Sequence, residues 1–557
     1  MFTIILRKVP NIMKSNHEIL SEVKEAIKNR GFFSFYPEHH KAYPEEWMKN
    51  GEQEFTKNLG KYFKTLSFGK EVTWIGEEVS PVTLEPLNIK YPASSADSLV
   101  KTASSFQKIL KQLTPIQRAE FCIDALERIK ERFFEIAHAT IHTTGQSFLM
   151  AFQASGPHAA DRALETIGMA YQELTRYNTN VTWEKQMGKS SAILQKEFKP
   201  IPKGIGVVIG CSTFPVWNSV PGIFGNLMCG NPVIVKPHPK AILPIAIVVE
   251  EIQKALIAAR LPENLIQLAP DTLGNPITKQ LCENPLVNVI DYTGSTSFGN
   301  YIEGLSGKTT FTEKSAINSV IIDSSNNLKE SLQNLAFSML LCSGQMCTSP
   351  QNIFIAEKGV KTPERTVSYP EVLDMLKQEI NSLIEHPQIG VGTMANIQSN
   401  KTIETIKNSI NLKETKVLTA KPIENVTGQT STPLIIETNS KNKNLISEEH
   451  FGPIFKIVKT ISIDESLSLA KQNAAENGAI TFLAFCTYEK LKAKIKEEME
   501  QVFTPVTFNL KGNFWINQHA AFSDFHGTSG NAAGNASFTD ANFVNRRFVW
   551  VGHREMV

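Results

Sequence analysis

Two cysteines stand five positions apart in the stretch CSGQMCTSP, Cys342 to Pro350. Such a pair can ligate a metal, close a disulfide, pack as ordinary core thiols, or supply one nucleophile. The segment ESLQNLAFSMLL has the three- and four-residue apolar spacing of a helix, Ser343-Gly344 ends it, and NIFIA follows as a strand. Cys347 therefore sits at a helix-to-strand junction. A thiol there is partly exposed, and nearby backbone N–H groups can stabilise its thiolate. Cys342 lies in the apolar run and reads as a small hydrophobe of the helix packing. From local chemistry alone all four uses of the pair remain open.

Three further stretches carry chemistry. In DYTGSTSFGN a strand ends at Tyr292, and Gly294-Ser295 open a helix. Free N–H groups and the helix dipole make that terminus an anion site, although Ser295 could equally serve only as an N-cap. NPVIVKPHP ends a strand on Lys236 and so puts a cation at the carboxyl edge of a sheet, where open α/β sheets bind ligands; a plain surface lysine reads the same way. GIGVVIG does not fit G-x-G-x-x-G and alone indicates no nucleotide. His138 and His142 share a helix face in HATIH, but Ala139 stands where a zinc-protease helix needs Glu, so they read as helix surface and no metal site is expected.

The elements that must position these residues follow from the pattern. Residues 1–70 read as a helical N-terminal extension, and 96–176 as amphipathic helices. From Gly204 the apolar runs GIGVVIG, PVIVK, LIQLAP and VNVIDYTGS alternate with helix-length segments, the signature of a parallel sheet with crossover helices. After a break around Ser306–Lys314 the alternation resumes with SVIIDSS and NIFIAE, a second α/β unit. The tail from Phe503 reads as strand and loop, an arm that meets another subunit. The expected division is 1–70 extension, 71–312 cofactor domain with a β excursion near 178–200, 313–505 catalytic domain, and 506–557 oligomerisation and return segment.

At 557 residues the chain needs two or three domains, and its 41% hydrophobic and 20% charged content is that of a globular protein. The net charge of +2, spread along the chain, argues against nucleic acid. No apolar run is long enough to span a bilayer, and MFTIILRKVP lacks the parts of a secretory signal. Seven scattered cysteines make a poor disulfide framework and point to the reducing cytoplasm.

Taken in order, these stretches resemble the aldehyde dehydrogenase superfamily over roughly residues 70–550. VIVKPHP is similar to its strand-Lys-Pro segment, YTGSTSFG to its F-T-G-S turn, GQMC to its G-Q-x-C loop, and EEHFGPIF to its E-E-x-F-G-P turn. The fold the resemblance implies is α/β: a Rossmann-type cofactor domain, an α/β catalytic domain and a small β oligomerisation arm. It implies Cys347 as nucleophile, Lys236 and His238 beside the adenosine ribose, Gly294 and Ser295 at the pyrophosphate, and Glu449 with Phe451 at the nicotinamide ribose. TFPVWNSVPGIFGN, FTEKSAIN and AAFSDFHGTSGNAAGNASFTD are similar to a branch that works in phenylacetate degradation. That branch implies oxidation of a ring-opened, CoA-linked semialdehyde to its acid. A CoA-acylating enzyme and a non-catalytic relative are the competing readings.

Two positions depart from the family pattern. Aligning the family's E-L-G-G-K on Lys314 leaves Thr310 where the general base should stand. Ring-opening relatives instead place a Glu five residues before an Asn, which here selects Glu313 ahead of Asn318, thirty-four residues before Cys347. Thr213 stands where the family's oxyanion-binding Asn is expected: either its hydroxyl substitutes as a catalytic donor, the Cys347 N–H does more, or Asn218 swings in; one such donor is worth about 3 kcal/mol. Pro239 replaces the Glu that often marks NAD preference, and Lys236, His238 and Lys240 surround it, so NADP is expected to be preferred over NAD. The expected partner is a small aldehyde, with the chain forming a homodimer or higher homo-oligomer.

Overall fold

The structure is a computed structural model and describes residues 14–66, 72–386, 389–418, 423, 427–514, 521–524 and 541–557. At the N-terminus, helix Asn16–Asn29 opens with a capping box between Ser15 and Glu18 and lays Val23 against Gly168, where a side chain of any size would collide with it. Helix Glu45–Asn58 places Phe55 flat on His142, ring centroids 4.6 Å apart, and Ser80 Oγ lies 2.9 Å from His142 Nδ1. His138 and His142 thus pack beneath the N-terminal segment and are not the open helix surface expected. The stretch 96–176 forms five helices, Ala96–Gln112, Pro115–Glu131, Phe133–Thr144, Phe148–Ser155 and Pro157–Leu174.

The first sheet is parallel throughout. Its order is Ile266–Leu268, Val233–Lys236, Ile205–Ile209, Val287–Thr293, Thr309–Glu313. Both faces are covered by helices, which is why its central strands are unbroken apolar runs. Chain order reverses beside Ile205–Ile209, and a ligand crevice opens at the carboxyl ends of strands at such a point. The expected break at Ser306–Lys314 is in fact the fifth strand: TTFTE is edge structure with polar threonines, so it lacks the apolar run that revealed its neighbours. The second sheet runs Lys416–Val417, Leu434–Asn439, Ile454–Thr460, Pro350–Ala356, Asn318–Ile322, Phe482–Phe485, Val506–Phe508, parallel except for its first strand. A third, antiparallel sheet joins Phe548–Met556 to Ser190–Pro202 and Asn180–Met187, the last fully exposed along its length.

The C-terminal return is anchored by Arg547, which is fully buried and donates through both Nη atoms to Asp291 at 2.8 and 2.6 Å. That bidentate pair ties the tail to the strand that leads into the YTGS turn. Most of AAFSDFHGTSGNAAGNASFTD lies outside the described residues. Among the described residues no helix is long and apolar enough to cross a membrane.

Candidate active site

Glu313 is the last residue of the first sheet's edge strand, in register with Thr293, and its carbonyl accepts the Gly294 N–H at 3.0 Å. The YTGS turn and Glu313 are therefore one rigid corner. At Gly294 a Cβ would stand 2.5 Å from the Tyr292 hydroxyl oxygen, so a side chain there would displace the tyrosine that donates to the Ser295 carbonyl. The following helix, Thr296–Glu303, has Ser295 at its N-cap position, yet the Ser295 hydroxyl makes no capping bond. That leaves the first N–H groups of the helix turned to the cleft. Lys314 lines the cleft with its ammonium held in place, donating to Asn300 at 2.7 Å and Glu303 at 2.8 Å.

Cys347 comes from the second sheet. Helix Leu328–Leu340 ends as expected, but the chain then makes three successive left-handed residues, Cys342, Ser343 and Gly344, at φ 55°, 51° and 66°. Two of these are not glycine and cost on the order of 1–3 kcal/mol each. Tertiary contacts hold them there. The Ser343 hydroxyl bonds both the carbonyl and the N–H of Ala395 at 2.9 Å, and Gln345 Nε2 donates to the Asn396 carbonyl at 2.9 Å. Cys342 is buried among Ala154, Phe214 and Ala395, and burial pushes its thiol up to about 12; it packs in this turn, not in the helix. Asn318, buried on the first strand of the second sheet, donates to the carbonyls of Cys347 (2.8 Å) and Ser349 (3.0 Å). Its Oδ1 accepts from the N–H groups of Ile480 and Thr481. One amide thus fixes the carbonyl of the candidate nucleophile to the sheet.

The two corners meet. The Cys347 thiol is hydrogen-bonded to the Glu313 carboxylate, and burial together with that negative charge holds the thiol well above its usual range. Arg162 opposes the effect. It is almost fully buried on helix Pro157–Leu174, stacks 3.9 Å from the Trp217 ring centroid, and its charge acts on both Glu313 and Cys347; burial lowers it to about 10. Around the pair lies a cleft of about 850 Å³ lined by Thr213, Asn218, Ser295, Glu313, Cys347, Glu449 and Phe451 among others. The Glu449 carboxylate accepts from the Ser315 hydroxyl and the Ala316 N–H, and burial raises its pKa.

Some assignments meet in this cleft and others do not. Cys347, Glu313, Gly294, Ser295, Glu449 and Phe451 all line it, as does Thr213. The Thr213 carbonyl accepts from Gln146 at 2.6 Å, and its neighbour Cys211 lines the same wall, its thiol pushed up by burial. Asn218 lines the same wall with its Oδ1 buried and without a hydrogen-bond partner. Lys236 and His238 lie outside the cleft lining. Lys236 is paired with Asp271 at 2.7 Å, and burial beside Lys236 and Lys240 takes His238 down to about 4, so it is uncharged at neutral pH. The cluster of two to three cations expected around Pro239 is therefore smaller than the sequence suggests: one cation is neutralised by pairing and one by desolvation. Sequence reasoning missed Arg162, Gln146 and the bracing role of Asn318. Of these only Asn318 left a trace, through its spacing from Glu313.

Residues 77–513 match the aldehyde dehydrogenase family. The chain belongs to that family. An NAD-dependent aldehyde dehydrogenase from Burkholderia multivorans shares 36% identity, with 97% of this chain and 98% of that one covered at a TM-score of 0.91. The 1-pyrroline-5-carboxylate dehydrogenase of Geobacillus sp. (strain WCH70) is 23% identical over 76% of this chain and 81% of its own length. The NADP-dependent glyceraldehyde-3-phosphate dehydrogenase of Streptococcus equinus is 22% identical, over 76% and 84%. The family uses NAD(P): a 1-pyrroline-5-carboxylate dehydrogenase from Thermus has been solved with bound NAD and a glyceraldehyde-3-phosphate dehydrogenase from Methanocaldococcus jannaschii with NADP.

Proposed function

We propose that this aldehyde dehydrogenase oxidises an aldehyde to its acid through Cys347 and Glu313. The observation that carries the reading is the hydrogen bond between the Cys347 thiol and the Glu313 carboxylate at the floor of the cleft. Glu313 accepts the thiol proton, the thiolate adds to the carbonyl carbon, and a thiohemiacetal results. The Thr213 hydroxyl, the Asn218 amide and the Cys347 N–H are the donors available to its oxyanion, all three residues lining the cleft. When bound, the nicotinamide supplies the hydride acceptor; Ser295 and the helix N-terminus hold the pyrophosphate, and Glu449 with Phe451 the nicotinamide ribose. Once a thioester stands on Cys347 and Glu313 has released the thiol proton to solvent, the carboxylate takes a proton from water, which attacks the thioester carbon; the Cys347 thiolate leaves and the acid is released. A carboxylate in contact with the sulfur favours water over coenzyme A as the acyl acceptor.

The finer reading follows the motifs TFPVWNSVPGIFGN and FTEKSAIN, similar to the phenylacetate-degradation branch: a cytoplasmic homo-oligomer acting on the ring-opened semialdehyde of that pathway. With His238 neutral and Lys236 paired, the support for NADP preference narrows to Lys240 and the absence of a carboxylate at position 239, so both cofactors serve. The proposed division into 1–70, 71–312, 313–505 and 506–557 shifts slightly at two bounds, since Glu313 closes the first sheet and Val506–Phe508 pairs in the second. The decisive test feeds aliphatic, aromatic and CoA-linked semialdehydes with NAD and NADP and identifies the product. Acid formation that Cys347→Ala abolishes supports the reading. Acyl-CoA formation in the presence of free coenzyme A, or no turnover with any aldehyde, overturns it.

A further inference from the structure

Lys456 lies on Ile454–Thr460 in the middle of the second sheet, in register with Asn352 on one side and Ile436 on the other. None of its surface reaches solvent (0%), and its neighbours on the same face, Ile454 and Val458, are core residues. An ammonium buried in such surroundings is costly unless its donors are satisfied. Here they reach up the strand to the E-E-x-F-G-P turn. Lys456 Nζ donates to the Glu448 carbonyl at 2.5 Å and to the Leu445 carbonyl at 3.1 Å. His450 Nδ1 stands 3.2 Å from the same Glu448 carbonyl. The next residue is Glu449, which lines the cleft and is held from the opposite side by Ser315 and Ala316.

We infer that Lys456 is a positioning residue that braces the Glu448-Glu449 turn from beneath and so sets how tightly Glu449 holds the cofactor ribose. The inference rests on the reading of Glu449 given above. The titratable groups that act on Lys456 are Glu448, Glu449 and His450, all on the turn itself; Asn352 and Ile436 from the flanking strands bring no charge. Burial takes Lys456 down to about 7, against the pull of the two glutamates. Below that pH the group is an ammonium, its bonds to both carbonyls are charge-assisted, and its field favours the ionised form of Glu449. Above it the amine keeps weaker bonds and the field is lost. Cofactor binding is therefore tightest after Glu449 ionises and before Lys456 deprotonates.

The test is an NADH fluorescence titration of the full chain from pH 6 to 9, for wild type, Lys456→Met, Lys456→Arg and Glu449→Gln. Wild-type Kd should rise about fivefold through a midpoint near 7, the loss of one charge-assisted bond. Lys456→Met should bind about tenfold more weakly at pH 6 and show no midpoint. Lys456→Arg keeps its charge throughout and should recover binding at pH 9 relative to Met, again without a midpoint. A flat wild-type profile, or a midpoint that survives in Lys456→Met, overturns the inference even if one variant folds poorly. If Glu449→Gln leaves Kd unchanged, it is the ribose assignment that falls. If it weakens binding while Lys456→Met does not, only the role of Lys456 falls.

Discussion

Replacing Glu313 by Gln should make Cys347 more reactive toward an alkylating agent while making the enzyme slower. The structure fixes both signs. The Glu313 charge and its hydrogen bond are two of the forces that hold the Cys347 thiol above its usual range, and Arg162 is the opposing cation. A like charge at about 4 Å in an effective dielectric of about 20 is worth about 4 kcal/mol, or about three pKa units. The Arg162 guanidinium and water in the cleft offset part of this, and the alkylation midpoint should still fall clearly. Because the thiol pKa is raised in the wild type, thiolate is scarce at pH 7.5. Lowering it in Glu313→Gln increases the thiolate fraction, and iodoacetamide should label Cys347 about tenfold faster or more. Acyl release, which needs the carboxylate to take a proton from water, should slow by about 10²–10⁴ in the same variant. The assay is the pH profile of alkylation beside single-turnover and steady-state kinetics. Arg162→Met is the mirror experiment and should move the alkylation midpoint upward. An unchanged or raised midpoint in Glu313→Gln would refute the contact as the source of the shift, and with it the base assignment.

Asn318→Ala should remove the amide that holds the Cys347 and Ser349 carbonyls and the Ile480 and Thr481 N–H groups, costing about 3 kcal/mol of stability. Denaturant unfolding and the burst amplitude check it; an intact burst would show that the loop does not depend on this amide. Gly344→Ala should be worse for activity than for expression. Its φ of 66° suits glycine, and an added Cβ would stand 2.4 Å from the Gly452 carbonyl oxygen, so the strain of about 2 kcal/mol or more falls on the contact between the Cys347 loop and the E-E-x-F-G-P turn. Loss of both the burst and cofactor binding in one variant is the expected outcome, and wild-type kinetics would count against it.

The sequence by itself determined the residue types and the order in which they come. Apolar strands alternating with helices dictate two parallel sheets, because a strand covered on both faces must be apolar along its length. It also determined Cys347 at a helix-to-strand junction and Ser295 at a helix start, both properties of a few neighbouring residues. The edge strand Thr309–Glu313 escaped because it is partly polar and short, and the left-handed turn at Cys342–Gly344 escaped because Ala395, Asn396 and Gly452 impose it from elsewhere in the chain. Charge states lay further out of reach. His238 reads as a cation in the string and is neutral in its pocket, and Arg162, unmarked within the helical stretch 96–176, is buried with its charge acting on the reacting pair. Only the tertiary structure brings Glu313, from the edge of one sheet, against Cys347, from a loop of the other. A proton's place depends on burial and on which charges lie within a few ångströms, and those neighbours are set by the packing of two sheets, not by adjacency in sequence.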